Sequence, residues 1–195
     1  MLEVLAKIPG RSKIAYKYSE TDIAHAAVLL RGFKGELRGF KEESVVDEHT
    51  FWLDFAATNP NLSDQSDTAV YQQQILEIID RIQLHEVNKV VLSRPSHLYT
   101  ERADAQATFA ALQERYSNCT VFALKHPDFG HWMGASPEVL FEEIDGGYRS
   151  MSLAGTRLSG ASEWGDKERE EQNFVTTEIQ KTLAAFGGRV RKQVE

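Results

Sequence analysis

Apolar residues recur every three or four positions in three stretches of the chain, and this spacing predicts three amphipathic helices. The three stripes are Tyr71, Ile75, Ile78 and Ile82; Ala105, Phe109, Leu112 and Tyr116; and Val175, Ile179, Leu183 and Phe186. Ser66 or Asp67 can cap the first helix. The third is predicted to begin near Asp166 and to end at Gly187-Gly188, because glycine commonly follows the last helical residue.

Other stretches carry the β-branched and apolar residues that favour strands. The run "VNKVVLSR" at residues 87–94 predicts a strand that is buried on both faces. Strand-like segments also lie at residues 2–8, 51–56, 120–126 and 130–155. Within the last of them, "DGG" at 145–147 predicts a hairpin turn. Long hairpins mixed with helices predict an α+β fold with large mixed or antiparallel sheets.

The length and charge of the chain narrow the class of protein. A chain of 195 residues suffices for one hydrophobic core and is short for two, and "NPNLSDQSD" at 59–67 has the composition of a linker. The net charge of -7 argues against a nucleic-acid partner. The single cysteine, Cys119, indicates a reducing compartment. Because there is neither a long apolar run nor a signal-peptide layout, we expect a cytoplasmic protein with no membrane partner.

Charged residues within three apolar patterns are the candidates for chemistry. Lys89 lies in the run 87–94, where it is either an edge residue or a base. Glu168 and Glu171 fall on the apolar stripe of the third helix, where they either favour the helix dipole or bind a hard cation such as Mg²⁺. Glu138, at or near the start of a predicted strand, is either a solvated edge charge or a general acid.

Four sequence blocks, taken in order, resemble those of a known family. The blocks are "KVVLSR" at 89–94, "GASPEVLF" at 134–141, "LAGTRLSG" at 153–160 and "KEREEQNFV" at 167–175. They are similar to blocks of the chorismate-utilising enzymes, which include isochorismate, salicylate, anthranilate and aminodeoxychorismate synthases. The motifs lie within residues 65–195, whereas residues 1–60 match weakly. The resemblance implies that residues 1–195 are the N-terminal portion of a single chorismate-binding domain.

The resemblance implies a catalytic role for two of these residues and substrate contacts for two more. Lys89 corresponds to the general base that activates water for attack at C2 of chorismate. Glu138 corresponds to the general acid that protonates the departing C4 hydroxyl group. Gly155 and Thr156 match the "GT" step that contacts the substrate.

The resemblance also implies that the cofactor is Mg²⁺ and that the enzyme uses water. Glu171 matches a metal ligand and Glu168 a neighbour in the metal shell, and the cation would neutralise the ring carboxylate of the substrate. Family members that use ammonia carry glutamine where this chain has Lys89. Some aminodeoxychorismate synthases carry a nucleophilic lysine where Ala154 stands. These matches favour a Mg²⁺-dependent isochorismate synthase of the menaquinone or siderophore type.

Two departures from the family pattern leave alternatives open. Gln172 stands where the family often has histidine, and Glu195 precedes the blocks that should supply a second metal-binding glutamate and a segment gripping the substrate carboxylates. We therefore expect the N-terminal part of a longer enzyme, with the missing C-terminal half as its partner, and no activity in this 195-residue chain alone. The alternatives are a salicylate synthase and a non-catalytic chorismate-binding fragment.

Overall fold

The computed structural model describes residues 1–31, 35–53, 55, 68–94, 96, 104–158, 160 and 163–185. The chain divides into two compact units. The first comprises Met1–Asn61 and Leu98–Pro137, and the second comprises Leu62–His97 and Glu138–Glu195. The predicted linker 59–67, the two candidate caps before the first helix, Phe186 and the glycine pair 187–188 lie outside the described residues.

The described residues form eight strands and four α-helices. The strands are β1 (Leu2–Lys7), β2 (Ile14–Thr21), β3 (Val28–Arg31), β4 (Leu37–Val45), β5 (Thr120–His126), β6 (Gly130–Ser136), β7 (Glu142–Ile144) and β8 (Gly147–Arg149). The helices are α1 (Glu48–Leu53), α2 (Thr68–Gln83), α3 (Ala105–Arg115) and α4 (Asp166–Ala185). A short 3-10 turn spans Ile23–His25. This mixture confirms the predicted α+β class.

The first unit is built on one six-stranded sheet with the order β3-β4-β2-β1-β5-β6. Every pairing in it is antiparallel. Alternate residues of these strands face opposite sides of the sheet. On one side, Leu5, Val121 and Ala123 pack with Phe51 of α1 and Phe109 of α3 to form the larger core cluster. The two helices therefore cover this face of the sheet.

An ion pair between a partly buried glutamate and a buried lysine joins two neighbouring inner strands of this sheet. Glu3 of β1 and Lys125 of β5 are direct cross-strand partners, and their charged atoms lie 2.7 Å apart. Lys125 Nζ also donates a hydrogen bond of 3.0 Å to the carbonyl of Phe51. Burial acts to raise the pKa of Glu3, but hydrogen bonds from Lys125 and Lys17 outweigh it, so the pKa is lowered. Lys125 therefore attaches α1 to an inner strand of the sheet.

The strand-like prediction for residues 51–56 is wrong at its start, because residues 51–53 close helix α1. The side chain of Asp47 accepts hydrogen bonds from Thr50 N at 3.0 Å and Thr50 Oγ1 at 3.2 Å, as an N-cap residue does. The rings of Phe51 and Phe55 lie 5.7 Å apart. Aromatic residues four positions apart match the helical repeat, which the high strand propensity of phenylalanine and tryptophan concealed.

The predicted helical stripes and hairpin are confirmed in the second unit. In α4 the stripe that contains Glu168, Glu171, Val175, Ile179 and Leu183 is less exposed than the residues between them on the outer face. β7 and β8 form a two-residue hairpin in which Ile144 pairs with Gly147. The intervening Asp145 and Gly146 have φ angles of 49° and 75°. Positive φ at both positions is the requirement of a type I′ turn.

The predicted buried strand at 87–94 is not formed. Residues 87–94 have no strand assignment, and the side chain of Val91 is 82% exposed. Strand propensity describes how well a residue fits a pleated surface, so it produces a strand only where a neighbouring strand completes the hydrogen-bond ladder. No strand of the described residues pairs with this segment. Lys89 is therefore presented from an irregular segment that pairs with no described strand.

Glu138 also lies outside any strand, which corrects its predicted position. β6 ends at Ser136, and Pro137 follows, which has no N–H to extend the ladder. Val139, which follows Glu138, forms hydrogen bonds with Met151 instead. Its carbonyl accepts from Met151 N at 3.0 Å, and its N–H donates to Met151 Sδ at 3.4 Å.

None of the helices in the described ranges combines the length and apolar character needed to cross a bilayer.

Candidate active site

The segment that carries Lys89 is held against helix α2 in the second unit. Tyr71 Oη donates a hydrogen bond of 3.4 Å to the carbonyl of Leu92, and Arg94 Nη1 donates one of 3.0 Å to Thr68 Oγ1. The guanidinium group of Arg94 also lies 5.3 Å from the centre of the Tyr71 ring. These contacts fix the C-terminal end of the segment even though it lacks a strand partner.

Lys89 forms an ion pair with Glu171 of helix α4. The Nζ and Oε1 atoms lie 2.9 Å apart, and the two side chains are 21% and 31% exposed. The hydrogen bond from Lys89 lowers the pKa of Glu171, and this effect exceeds the opposing effect of burial. The pair unites residues 82 positions apart in the sequence. Two sequence-predicted site residues, the candidate base and the candidate metal ligand, are therefore in direct contact.

Glu168 lies one turn before Glu171, at the third residue of helix α4. Its Oε2 atom is 2.5 Å from the point that a Cβ atom on Gly165 would occupy. The carboxylate therefore folds back over the first turn of the helix. That position is favourable for an acid, because it faces the positive end of the helix dipole.

Gly155 lies against the same first turn of α4. A Cβ atom at Gly155 would lie 3.2 Å from Trp164 Cζ3 and 3.3 Å from the carbonyl oxygen of Glu168. These residues border a cavity of about 390 Å³, together with Arg169 and Gln172. The guanidinium group of Arg157 stacks over Trp164 at 4.9 Å. A cavity of this volume can contain a small organic molecule.

Glu138 and Thr156, the other two predicted site residues, are both exposed residues of the same unit. Glu138 directly precedes Val139, whose two hydrogen bonds to Met151 join the chain near residue 138 to the segment that contains Gly155. The described contacts thus unite Lys89 with Glu171, and Gly155 with the backbone of Glu168.

The family of the chain follows from a comparison with family models. The model described as "Chorismate binding enzyme" matches residues 41–195, which is more than half of the chain. The chain belongs to the chorismate-binding enzyme family. No solved structure matches the chain. Membership confirms the predicted resemblance and identifies chorismate as the small-molecule substrate of the family to which these residues belong.

The donor atoms of the candidate site fit the Mg²⁺ that resemblance to the chorismate-utilising enzymes implies. Mg²⁺ prefers oxygen ligands and is usually held by one or two carboxylates, with water and substrate oxygens completing its shell. Glu171 and Glu168 supply two carboxylates, three positions apart on one helical stripe. In the part of the chain that the structure describes, no three His, Cys, Asp or Glu side chains are grouped as a metal site. Among the described residues, these two carboxylates are therefore the candidate ligands for a cation, and three-ligand sites are absent there.

The sequence did not predict the role of two residues of this site. Trp164 packs beside Gly155, and the sequence indicated it only as an aromatic residue just before the start of a helix. The side chain of Gln172 makes hydrogen bonds to Ser152 and to Ala154 N, the latter at 3.0 Å. The replacement of the family's usual histidine by Gln172 was visible in the sequence. The hydrogen-bond partners of Gln172 lie about twenty residues away, so no local pattern indicates them.

Proposed function

We propose that this chain carries catalytic residues of a Mg²⁺-dependent isochorismate synthase. The observation that carries the proposal is the 2.9 Å contact between Lys89 Nζ and Glu171 Oε1. A lysine here would serve an enzyme that uses water, because the ammonia-using members of the family carry glutamine at the matching position. The contact supports the proposal because the reaction needs a base and a cation ligand at one substrate.

In this proposal, Lys89 is the base. Its neutral amine accepts a proton from water as the water oxygen bonds to C2 of chorismate. The ring double bonds shift, the C4–O bond breaks, and the protonated carboxyl group of Glu138 gives its proton to the departing hydroxyl, which leaves as water. The substrate gains and loses one water molecule, so the net change is an isomerisation.

Glu171 has two partners in this proposal. Its carboxylate lies 2.9 Å from Lys89 Nζ, so this contact must open before Lys89 can reach a water molecule at the substrate. Glu171 and Glu168 would hold Mg²⁺, which supplies positive charge to neutralise a substrate carboxylate.

Substrate positioning falls to the segment around Gly155 in this account. The backbone of Gly155 and the hydroxyl group of Thr156 would contact chorismate beside the cavity bordered by Trp164. The guanidinium group of Arg169, which also borders the cavity, offers a positive charge to a substrate that carries two carboxylates.

The test is product analysis with the natural full-length protein. Chorismate is incubated with ammonium salts and Mg²⁺, with and without a chelator, and the products are separated by chromatography. We expect isochorismate as the main product, formed only when Mg²⁺ is present. Salicylate with release of pyruvate would assign the salicylate synthase alternative. Anthranilate as the main product would refute the role of Lys89, and tight chorismate binding without any product would support the non-catalytic alternative.

A further inference from the structure

The side chain of Gln172 makes a two-point connection between helix α4 and the segment that precedes Gly155. Its Oε1 atom accepts a hydrogen bond of 3.0 Å from Ala154 N, and its Nε2 atom donates one of 2.7 Å to the carbonyl of Ser152. Nε2 also lies 2.9 Å from Ser152 Oγ and 3.2 Å from Thr176 Oγ1. Both ends of the amide are thus satisfied.

The Ser152 carbonyl and the Ala154 N–H are the backbone groups with which an adjacent strand would form hydrogen bonds. In an extended chain, the carbonyl of one residue and the N–H of the residue two positions later point to the same side. The segment 151–158 has no strand assignment. The Gln172 amide, which has one donor end and one acceptor end, takes the place of a rung of a hydrogen-bond ladder. Its orientation follows from its partners, because Ala154 N can only donate and Ser152 O can only accept.

Thr176 holds the glutamine in this position. Its hydroxyl group, one turn further along α4, lies 2.8 Å from Ser152 Oγ and donates a hydrogen bond of 2.9 Å to the backbone carbonyl of Gln172. Ser152, Ala154, Gln172 and Thr176 are all partly buried, so water competes weakly for these hydrogen bonds. The connection is therefore a closed network of neutral groups.

We propose that Gln172 is a positioning residue that sets the path of residues 152–156 and thereby the affinity of the site for its substrate. The segment leads from the two anchored residues directly to Gly155, which borders the same cavity as Gln172. The identification of the ligand as chorismate in this inference rests on the proposed function. The position of the segment rests on the hydrogen bonds alone. Gln172 acts through Ser152 and Ala154, so it needs no contact with the reacting atoms.

The first test compares steady-state kinetics of the natural full-length protein with those of Gln172→Leu and Gln172→Glu. Leucine removes both hydrogen bonds, whereas glutamate keeps the size and the acceptor but turns a second acceptor toward the Ser152 carbonyl. We expect both variants to raise KM for chorismate about tenfold, the effect of losing one or two neutral hydrogen bonds, with kcat within about threefold. Gln74→Leu, at an exposed position of α2, is the matched control and should leave both constants unchanged.

A raised KM with a nearly unchanged kcat distinguishes a positioning role of Gln172 from a purely structural one. A variant that only lowers the folded fraction reduces the apparent kcat and leaves KM unchanged. An unchanged KM in both variants, whatever happens to kcat, would overturn the proposal. Because glutamate preserves the size of the side chain, Gln172→Glu decides the question if the leucine variant fails to fold.

The second test does not depend on activity. Hydrogen exchange of the Ala154 amide should be about tenfold faster in Gln172→Leu than in the natural protein, because the amide loses its acceptor. Exchange of the α4 amides at residues 178–183 serves as the internal reference. If the natural protein does not convert chorismate, the proposed function fails, and the exchange rate alone decides the positioning role. Unchanged protection of Ala154 would overturn it.

Discussion

Adding one methyl group at position 155 is a sharp test of the site geometry. In Gly155→Ala the new Cβ atom would lie 3.2 Å from Trp164 Cζ3, 3.3 Å from the carbonyl oxygen of Glu168 and 3.4 Å from Glu168 Cβ. Favourable contacts between carbon atoms fall at about 3.5–4.0 Å. The segment, the indole ring or the first turn of α4 must therefore move by a few tenths of an ångström.

The size of the effect follows from which neighbour can move. Trp164 is partly exposed and can rotate away, but the carbonyl of Glu168 is part of helix α4. Overpacking typically costs about 1–3 kcal/mol, and one movable neighbour puts the expected loss of unfolding free energy at about 1–2 kcal/mol. A shift of about 1 Å at a binding site can cost about 100-fold in rate, so a few tenths should reduce kcat/KM several-fold.

The assay combines urea denaturation with chorismate kinetics on the natural full-length protein. Gly147→Ala is the matched control, since the nearest atom to its new Cβ would be the Ile144 carbonyl oxygen at 3.7 Å, an ordinary contact. We expect the control to retain both stability and kcat/KM. If Gly155→Ala matches the natural protein in both measurements, the close packing of Gly155 on the start of α4 is refuted.

Three further predictions concern charged residues. Lys89→Ala and Glu138→Gln should each lower kcat by about 10²- to 10⁴-fold while chorismate still binds, and near-native kcat in both would contradict their assigned roles. Lys125→Met should lower the unfolding free energy in urea by about 2 kcal/mol. Breaking a buried ion pair usually costs about 3–5 kcal/mol, but here Glu3 keeps Lys17 as a second partner. Because the pKa of Glu3 is lowered from 4.5, its stabilising effect is present above pH 4.5 and is lost as the pH falls below that value. Unfolding free energies measured from pH 7 to pH 3 should show this loss, and Lys125→Met should weaken the pH dependence.

Local patterns predicted the elements whose stability is local. The Asp145-Gly146 turn follows from two residues that tolerate positive φ, and the half-buried stripe of α4 follows from helical spacing. The segment 87–94 was wrongly predicted as a strand because a strand also requires a partner, which no residue inside the segment can supply. The strand-like prediction for residues 51–56 was wrong at its start, where residues 51–53 belong to helix α1, because the cap of that helix, Asp47, lies before the aromatic run.

The candidate site was predictable only in part, for the same reason. Resemblance to the family selected Lys89 and Glu171, and the structure brings them into contact. The resemblance gave no indication of the hydrogen bonds of Gln172, because these depend on where one side chain meets a backbone segment about twenty residues earlier. Residue types can indicate chemistry, whereas the groups that hold a segment in place are specified by tertiary packing.

The position of β1 in the middle of the sheet has a consequence for biosynthesis. β1 is synthesised before the other strands of this sheet and can pair with β2 as soon as that strand follows, but its other neighbour, β5, begins only at Thr120. At about 5–20 residues per second, roughly 6–24 s pass before that partner is synthesised. During this interval the nascent chain presents an unpaired strand edge that bears Leu2 and Leu5, both buried in the finished sheet. Such an edge is a template for wrong pairing, so newly made chains should depend on a chaperone until β5 has emerged.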